Sequence, residues 1–150
     1  MMPHANPSDQ ELKALLTSST TIAMVGASSN PEKASHGVMQ KLQRAGYRVI
    51  PVNPRESEVL GERSYPSLID VPERIDIVDV FRRAEDAPVI ADEAVTVGAK
   101  ALWLQTGIVS EEAAARAQAG GLMVVMDACI GATHARLRIP PKMKSATEPA

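Results

Sequence analysis

Residues 22–37 read IAMVGASSNPEKASHG: an apolar run ending at Gly26, then the hydroxyls of Ser28, Ser29 and Ser35, with the cation Lys33 among them. In a strand-to-helix turn this mixture suits an anion. Small residues let the backbone approach, and the unpaired amides of the first helical turn carry partial positive charge. The spacing is not the dinucleotide fingerprint, because Ala27 and Ser28 follow Gly26 and the next glycine is Gly37. The same residues would also serve a tight turn capped by Ser35.

Four further stretches could carry chemistry. Asn53-Pro54-Arg55 stands where a dinucleotide site would place a ribose-binding acid. Asn53 can bond a ribose or base and Arg55 a phosphate, which disfavours NAD and leaves NADP open; a plain Asn-Pro turn is the alternative. At Val80-Phe81-Arg82-Arg83, Phe81 can pack on a flat or apolar group while Arg82 offers a fork of donors to phosphate. Adjacent arginines diverge, so at most one is expected to face a site. Gln105-Thr106-Gly107 supplies polar groups and a flexible backbone. Cys129 has no neighbouring histidine or cation in sequence to activate it, and reads as a buried thiol. Asp79 suggests a phosphoacceptor, but the acidic pair and lysine of a receiver domain are missing. No Gly-Lys-Ser/Thr loop is present, and His4, His36 and His134 lack metal-ligand spacing.

These stretches follow apolar runs at 20–25, 47–52, 75–80, 101–104 and 122–126, which read as buried strands. Helical patterns lie between them. Ser8 with Glu11 forms a capping box ahead of Leu12, Leu15 and Leu16. A helix from Ser35 to Ala45 ends at Gly46, Asp86 caps a third, and Ser110 caps a fourth. Pro51 marks its strand as an edge or an end. Five strands alternating with helices predict an α/β, three-layer Rossmann-like fold: a five-stranded parallel sheet flanked by helices. Residues 1–19 are expected to form a helix packed on the domain, 20–137 the domain itself, and 138–150 a flexible tail. Ligands of such folds bind at the carboxyl ends of the strands, where the candidate residues lie.

The net charge of −2 gives no field to attract nucleic acid or an anionic membrane, and 3% aromatic residues leave no stacking platform for single strands. The first residues lack the apolar core of a signal peptide and no run reaches membrane-spanning length, so a soluble cytoplasmic protein is expected.

Taken in order, IAMVGASSNPEK, GYRVIPVNPR, VLGERSYPSLIDVPERIDIVDVFRR, VGAKALWLQTGIVSEEAA and GLMVVMDAC resemble the small single-domain CoA-binding proteins. That family shares its Rossmann-like domain with the α subunit of succinyl-CoA ligase. The resemblance implies CoA or acyl-CoA as ligand, with Gly26, Ala27, Ser28 and Lys33 around the phosphates. It implies Asn53 and Pro54 beside the adenosine, Val80, Phe81 and Arg82 along the opposite wall, and Gln105 and Gly107 near the pantetheine. Ser29, Ser35 and Arg55 complete the expected set. Where the family commonly reads Arg-Pro-Ser-Tyr, this chain has Lys33-Ala34-Ser35-His36, and Ala128 replaces a common arginine. The ligases add a domain with a phosphorylated histidine for which 150 residues leave no room, so a binding module without catalytic machinery, a sensor or carrier, is expected. The alternatives are an NADP-linked or CoA-transfer enzyme, with His36 and then Cys129 as acid–base candidates, or an interaction subunit with a vestigial site.

Overall fold

The computed structural model describes residues 4–142. Helix α1 (Asp9–Ser18) begins with the expected capping box: Ser8 Oγ accepts from the Glu11 amide and the Glu11 carboxylate accepts from the Ser8 amide. It is followed by β1 (Thr21–Val25), α2 (Ala34–Arg44) and β2 (Arg48–Val52). A small hairpin, β3 (Glu58–Val59) with β4 (Glu62–Arg63), precedes β5 (Ile77–Val80). Then come α3 (Ala87–Thr96), β6 (Ala101–Leu104), α4 (Glu111–Ala119), β7 (Met123–Val125) and α5 (Ile130–Arg136).

The five long strands pair in parallel in the order β2-β1-β5-β6-β7, giving the α/β Rossmann-like sheet predicted from sequence. Their unbroken apolar runs follow from burial on both faces. Val25, Val52, Val80 and Leu104 face the layer containing α3 and α4, where Ala91, Ala94, Ala114 and Ala117 let the helices lie close. Ile22, Met24, Ile77 and Trp103 face the other layer, built from α1, α2 and α5. The chain leaves β1 toward β2 and then returns to the far side of β1 to enter β5. The sheet therefore has its switch point between β1 and β5, where the loops after them diverge and leave a crevice.

Each sheet edge is engaged at its carboxyl end. Tyr65 bridges to Val52 on the β2 side: the Tyr65 amide donates to the Pro51 carbonyl, and Tyr65 O accepts from the Asn53 amide. Pro51 thus lies in an edge strand, where its missing amide costs little. On the β7 side the Asn6 side chain acts as a strand segment, donating to Met126 O and accepting from Met126 N, both at 2.8 Å. Unpaired edges invite pairing with other chains, and these contacts occupy part of each edge.

Several local expectations need correction. Asp86 does not cap α3 with its side chain: a 3-10 turn (Ala84–Asp86) runs straight into the helix, and the carboxylate instead pairs with Arg82 at 3.3 Å. Ser35 does not cap α2 either, because the helix starts at Ala34 and Ser35 is buried in its first turn. The β3–β4 hairpin lay hidden in the turn-rich stretch, since its two-residue turn uses Leu60 and Gly61, both at positive φ, and leucine is a poor marker of that geometry. Helix α5 has no counterpart among the expected elements. The chain beyond 137 is not loose from its start: Ile139 is buried, and the Lys142 amide donates to Ala45 O at 2.7 Å. Gly46, at φ +95°, makes room for this, because a Cβ there would lie 2.5 Å from the Lys142 carbonyl oxygen. The remainder of the expected tail, 143–150, lies outside the described residues.

Two buried acids on or beside β5 behave in opposite ways. Burial disfavours the charge on Asp76, but the amides of Thr20 and Thr21, the Lys100 ammonium and the Thr20 hydroxyl outweigh it and hold its pKa below the usual range. Asp79, in register between Met24 and Trp103, is fully buried, and neither carboxyl oxygen has a partner among the described residues. Burial alone pushes its pKa well above the usual value, so the folded chain carries it protonated where an unfolded chain would not. Its depth also removes it as a surface phosphoacceptor. A raised carboxyl pKa contributes stability below the unfolded value, about 3.9, and loses it as pH rises from there toward the folded value, at about 1.4 kcal/mol per pH unit. Stability measured by denaturant unfolding should therefore fall over this window in wild type relative to Asp79→Asn. Parallel curves for the two proteins would overturn the assignment of that proton to Asp79.

Candidate functional site

The crevice at the switch point is built around Gly26. Its amide donates to Val52 O at 2.9 Å, and the next strand end adds Phe81 N donating to Val25 O at 2.8 Å. Gly26 adopts φ +92°, and a Cβ there would sit 2.5 Å from the Phe81 carbonyl oxygen. Only glycine allows both the backbone conformation and this approach. The ends of β1, β2 and β5 are thereby locked together, and three depressions open around them.

The first, about 350 Å³, lies toward α3, with Val25, Pro54, Pro66, Leu68 and Val89 as apolar walls. Its charged groups are Arg82 and three acids, Glu85, Asp86 and Glu93. Burial, and then the charge of Asp70, raise the Glu93 pKa. The second, about 400 Å³, lies toward α2 and α5; Val38, Phe81, Ile108 and Cys129 form an apolar surface with Arg82 at its edge. The third, about 290 Å³, lies between them over the start of α2, and contains Gly26, Ser28, Lys33, Ser35, Asn53 and Phe81. Here the amides of Ala34 and Ser35 have no carbonyl one turn earlier in the helix, and Lys33 stands exposed at the N-cap position. This third depression is the cationic one.

The sequence-predicted residues divide accordingly. Gly26, Ser28, Lys33, Ser35, Asn53 and Phe81 converge on the cationic depression, and Pro54, Arg82 and Gln105 border its neighbours. Ala27 and Val80 are fully buried; Ala27 takes part through its carbonyl, which accepts from Asn53 Nδ2 at 2.8 Å. Gln105 is occupied: its Oε1 accepts from the Ile130 amide and its Nε2 reaches Ala128 O, so it fixes the loop into α5. Gly107 donates its amide to Asp127, and Arg55 is exposed; neither borders the three depressions. Ser29 likewise turns away, toward Glu56. Both Arg82 and Arg83 border the second depression, contrary to the expectation that only one could, although the Arg83 side chain is 78% exposed and reaches only its rim.

Sequence reading missed three walls of the first depression, Pro66, Leu68 and Val89, and the α2 residues Ala34 and Val38 that line the second. Pro66 and Leu68 sit in an aperiodic stretch, and Val89 belongs to an apolar helical pattern that reads as core, whereas the structure leaves it 62% exposed on the outer side of α3. Cys129 is half-buried rather than sealed, and borders the second depression. His36 borders none of the three. No group of three or more His, Cys, Asp or Glu able to hold a metal ion occurs among the described residues.

The match to the CoA binding domain model spans residues 20–135, which contain all three depressions. The chain belongs to the CoA binding domain family. It is 45% identical over 130 residues to the uncharacterized protein YneT of Bacillus subtilis, covering 87% of this chain and 96% of that one. A hypothetical protein from Pyrococcus horikoshii has a solved structure similar at TM-score 0.86 and 36% identity, covering 92% of this chain and 99% of that one. The ADP-forming acetate–CoA ligase II of Archaeoglobus fulgidus is 28% identical over 94 residues, which is 61% of this chain and only 14% of the ligase. The CoA binding domain fold thus occurs both as a small protein and as one part of much longer ligases.

The Gly26 contact is open to test by substitution. Gly61, at φ +81°, has no atom within 4 Å of its would-be Cβ, so Gly61→Ala bears only the backbone cost, of order 1 kcal/mol. Gly26→Ala should cost about 2–4 kcal/mol, because it adds a collision with backbone to that cost. Equal losses in denaturant unfolding would mean that the approach to Phe81 is not a constraint.

Proposed function

We propose that this chain binds coenzyme A non-covalently in the crevice at the switch point. The observation carrying this reading is that three depressions of different chemistry meet at Gly26, Phe81 and Arg82. The depression at the start of α2 suits phosphates, since it offers helix amides, serine hydroxyls and Lys33. The one toward α3 suits an uncharged base with an exocyclic amine, because its walls are apolar and its polar groups include carboxylates that repel phosphate. The one toward α2 and α5 suits the extended, largely apolar pantetheine arm, with the ring of Phe81 standing between arm and phosphates. The CoA binding domain match supports the ligand class, and the residues present fit it.

On this reading the chain's own groups bind and orient. Lys33 and Ser28 meet phosphate oxygens, Ser35 lines the same depression from the first turn of α2, Asn53 fixes the loop wall through Ala27 O, and Arg82 reaches in from the side. Arg82 is partly neutralised by Asp86, so Lys33 is the principal cation. The family's common arginine is absent at Ala128, whose carbonyl instead accepts from Trp103 Nε1 at 2.8 Å.

Titration calorimetry or thermal shift with CoA, adenosine and NADP tests the proposal. Ligand at one hundred times its Kd should stabilise the fold by about 2.7 kcal/mol, and adenosine alone should not match CoA. Lys33→Ala should weaken CoA about tenfold, consistent with loss of one charge-assisted contact to phosphate. No response to millimolar CoA together with a clear one to NADP would overturn the proposal.

A further inference from the structure

The loop over the cationic depression is gripped from outside by an acid of the same chain. Glu56 Oε2 accepts from the Ser29 amide at 2.7 Å, and the Ser29 hydroxyl lies 2.8 and 3.0 Å from its two carboxylate oxygens. A second tie runs beside it, where Asn53 Nδ2 donates to Ala27 O. Asn53 also holds Glu56 in place: its side-chain oxygen accepts from the Arg55 amide and its carbonyl from the Glu56 amide, at 2.9 and 3.2 Å. Further donors at the loop tip are also engaged. Ser28 Oγ accepts from the Asn30 amide and Asn30 Oδ1 from the Glu32 amide, at 3.0 and 2.9 Å.

The outer half of the loop therefore presents satisfied amides and a carboxylate, while the inner half, with Ser28, Lys33 and the start of α2, faces the depression. An anion approaching the tip meets a negative charge already in place; an anion at the inner end does not. We propose that Glu56 is a positioning residue for the phosphate-binding loop, holding Ser29 so that phosphates are received only at the Ser28–Lys33 end. This rests on the CoA reading above and adds to it a residue that touches no ligand. The direction of its titration agrees: the Ser29 amide, and then its hydroxyl, lower the Glu56 pKa, so the carboxylate is charged at neutral pH. Holding the loop in its bound shape before the ligand arrives removes an ordering cost from binding.

The test uses Glu56→Ala, Glu56→Gln and Ser29→Ala in the full chain, with affinities for CoA, ADP and adenosine and amide exchange of residues 27–32 in the unliganded protein. Glu56→Ala should weaken CoA and ADP by the same factor, about tenfold, leave adenosine unchanged, and speed exchange at Ser29. Glu56→Gln keeps an acceptor without the charge and should recover part of the loss; Ser29→Ala, which keeps its amide, should lose about threefold. Unchanged or tighter CoA binding in Glu56→Ala would overturn the proposal, as would equal weakening of adenosine, which marks a general structural role. Wild-type protein that fails to bind CoA would overturn the CoA reading itself, and this inference with it.

Discussion

The close approach of Gly26 to the carbonyl of Phe81 is the constraint from which the crevice follows. A parallel sheet that reverses its strand order must separate the loops on either side of the reversal, and that separation alone would leave a ragged gap. Here the gap is closed at its base. Gly26 N bonds to Val52 O, Phe81 N bonds to Val25 O, and the missing Cβ lets the two loops meet. Above that seal the chain can diverge only upward, and it does so in three directions of different chemistry. Because backbone groups set the seal, the side chains around it are free to vary. Lys33, Ala34 and His36 can thus vary without disturbing the frame.

The same backbone economy is visible in the core, with one exception. Asp76 earns its burial through amides, a hydroxyl and Lys100, whereas Asp79 sits three residues later with no partner among the described residues. Both positions belong to an otherwise apolar segment, IDIVDV, and a pattern of residue types treats the two acids alike. Only the third dimension separates them. Asp76 stands beside the start of β1, where free amides await an acceptor; Asp79 lies inside the layer between Met24 and Trp103.

What was legible in the sequence is what depends on local pattern. The five strands, the capping box at Ser8, the chain reversal at Gly46 and the edge position implied by Pro51 all rest on residues near one another in sequence. The hairpin at Leu60-Gly61 was obscured because leucine occupies a left-handed turn position, and the docking of Ile139 and Lys142 because neither belongs to a periodic run. At the site, the positions of Asn53 and Phe81 followed from their places at strand ends, and that of Lys33 from its place before the helix that follows β1. The engagement of Ser29 by Glu56, and of Gln105 by the loop before α5, did not, because a polar residue near a site satisfies a neighbour or a ligand with the same atoms. Sequence position cannot say which, and distances can.

Charge balance brings these points together. CoA carries roughly four negative charges near neutral pH, while the chain as a whole is at −2 and the cationic depression contains Lys33 as its one cation. Arg82 shares its charge with Asp86, and Glu56 adds a negative group to the outside of the loop. Long-range attraction is therefore a poor basis for holding such a ligand here. Under the proposed reading, recognition has to come from fixed dipoles at the start of α2 and from the apolar area of the two flanking depressions, both of which act at short range. Fixed dipoles are effective only when already aimed, and under the same reading the loop that leads to them is held by Asn53 on Ala27, Glu56 on Ser29 and the backbone seal at Gly26. A site so short of cations depends on rigidity where a more basic relative could depend on charge.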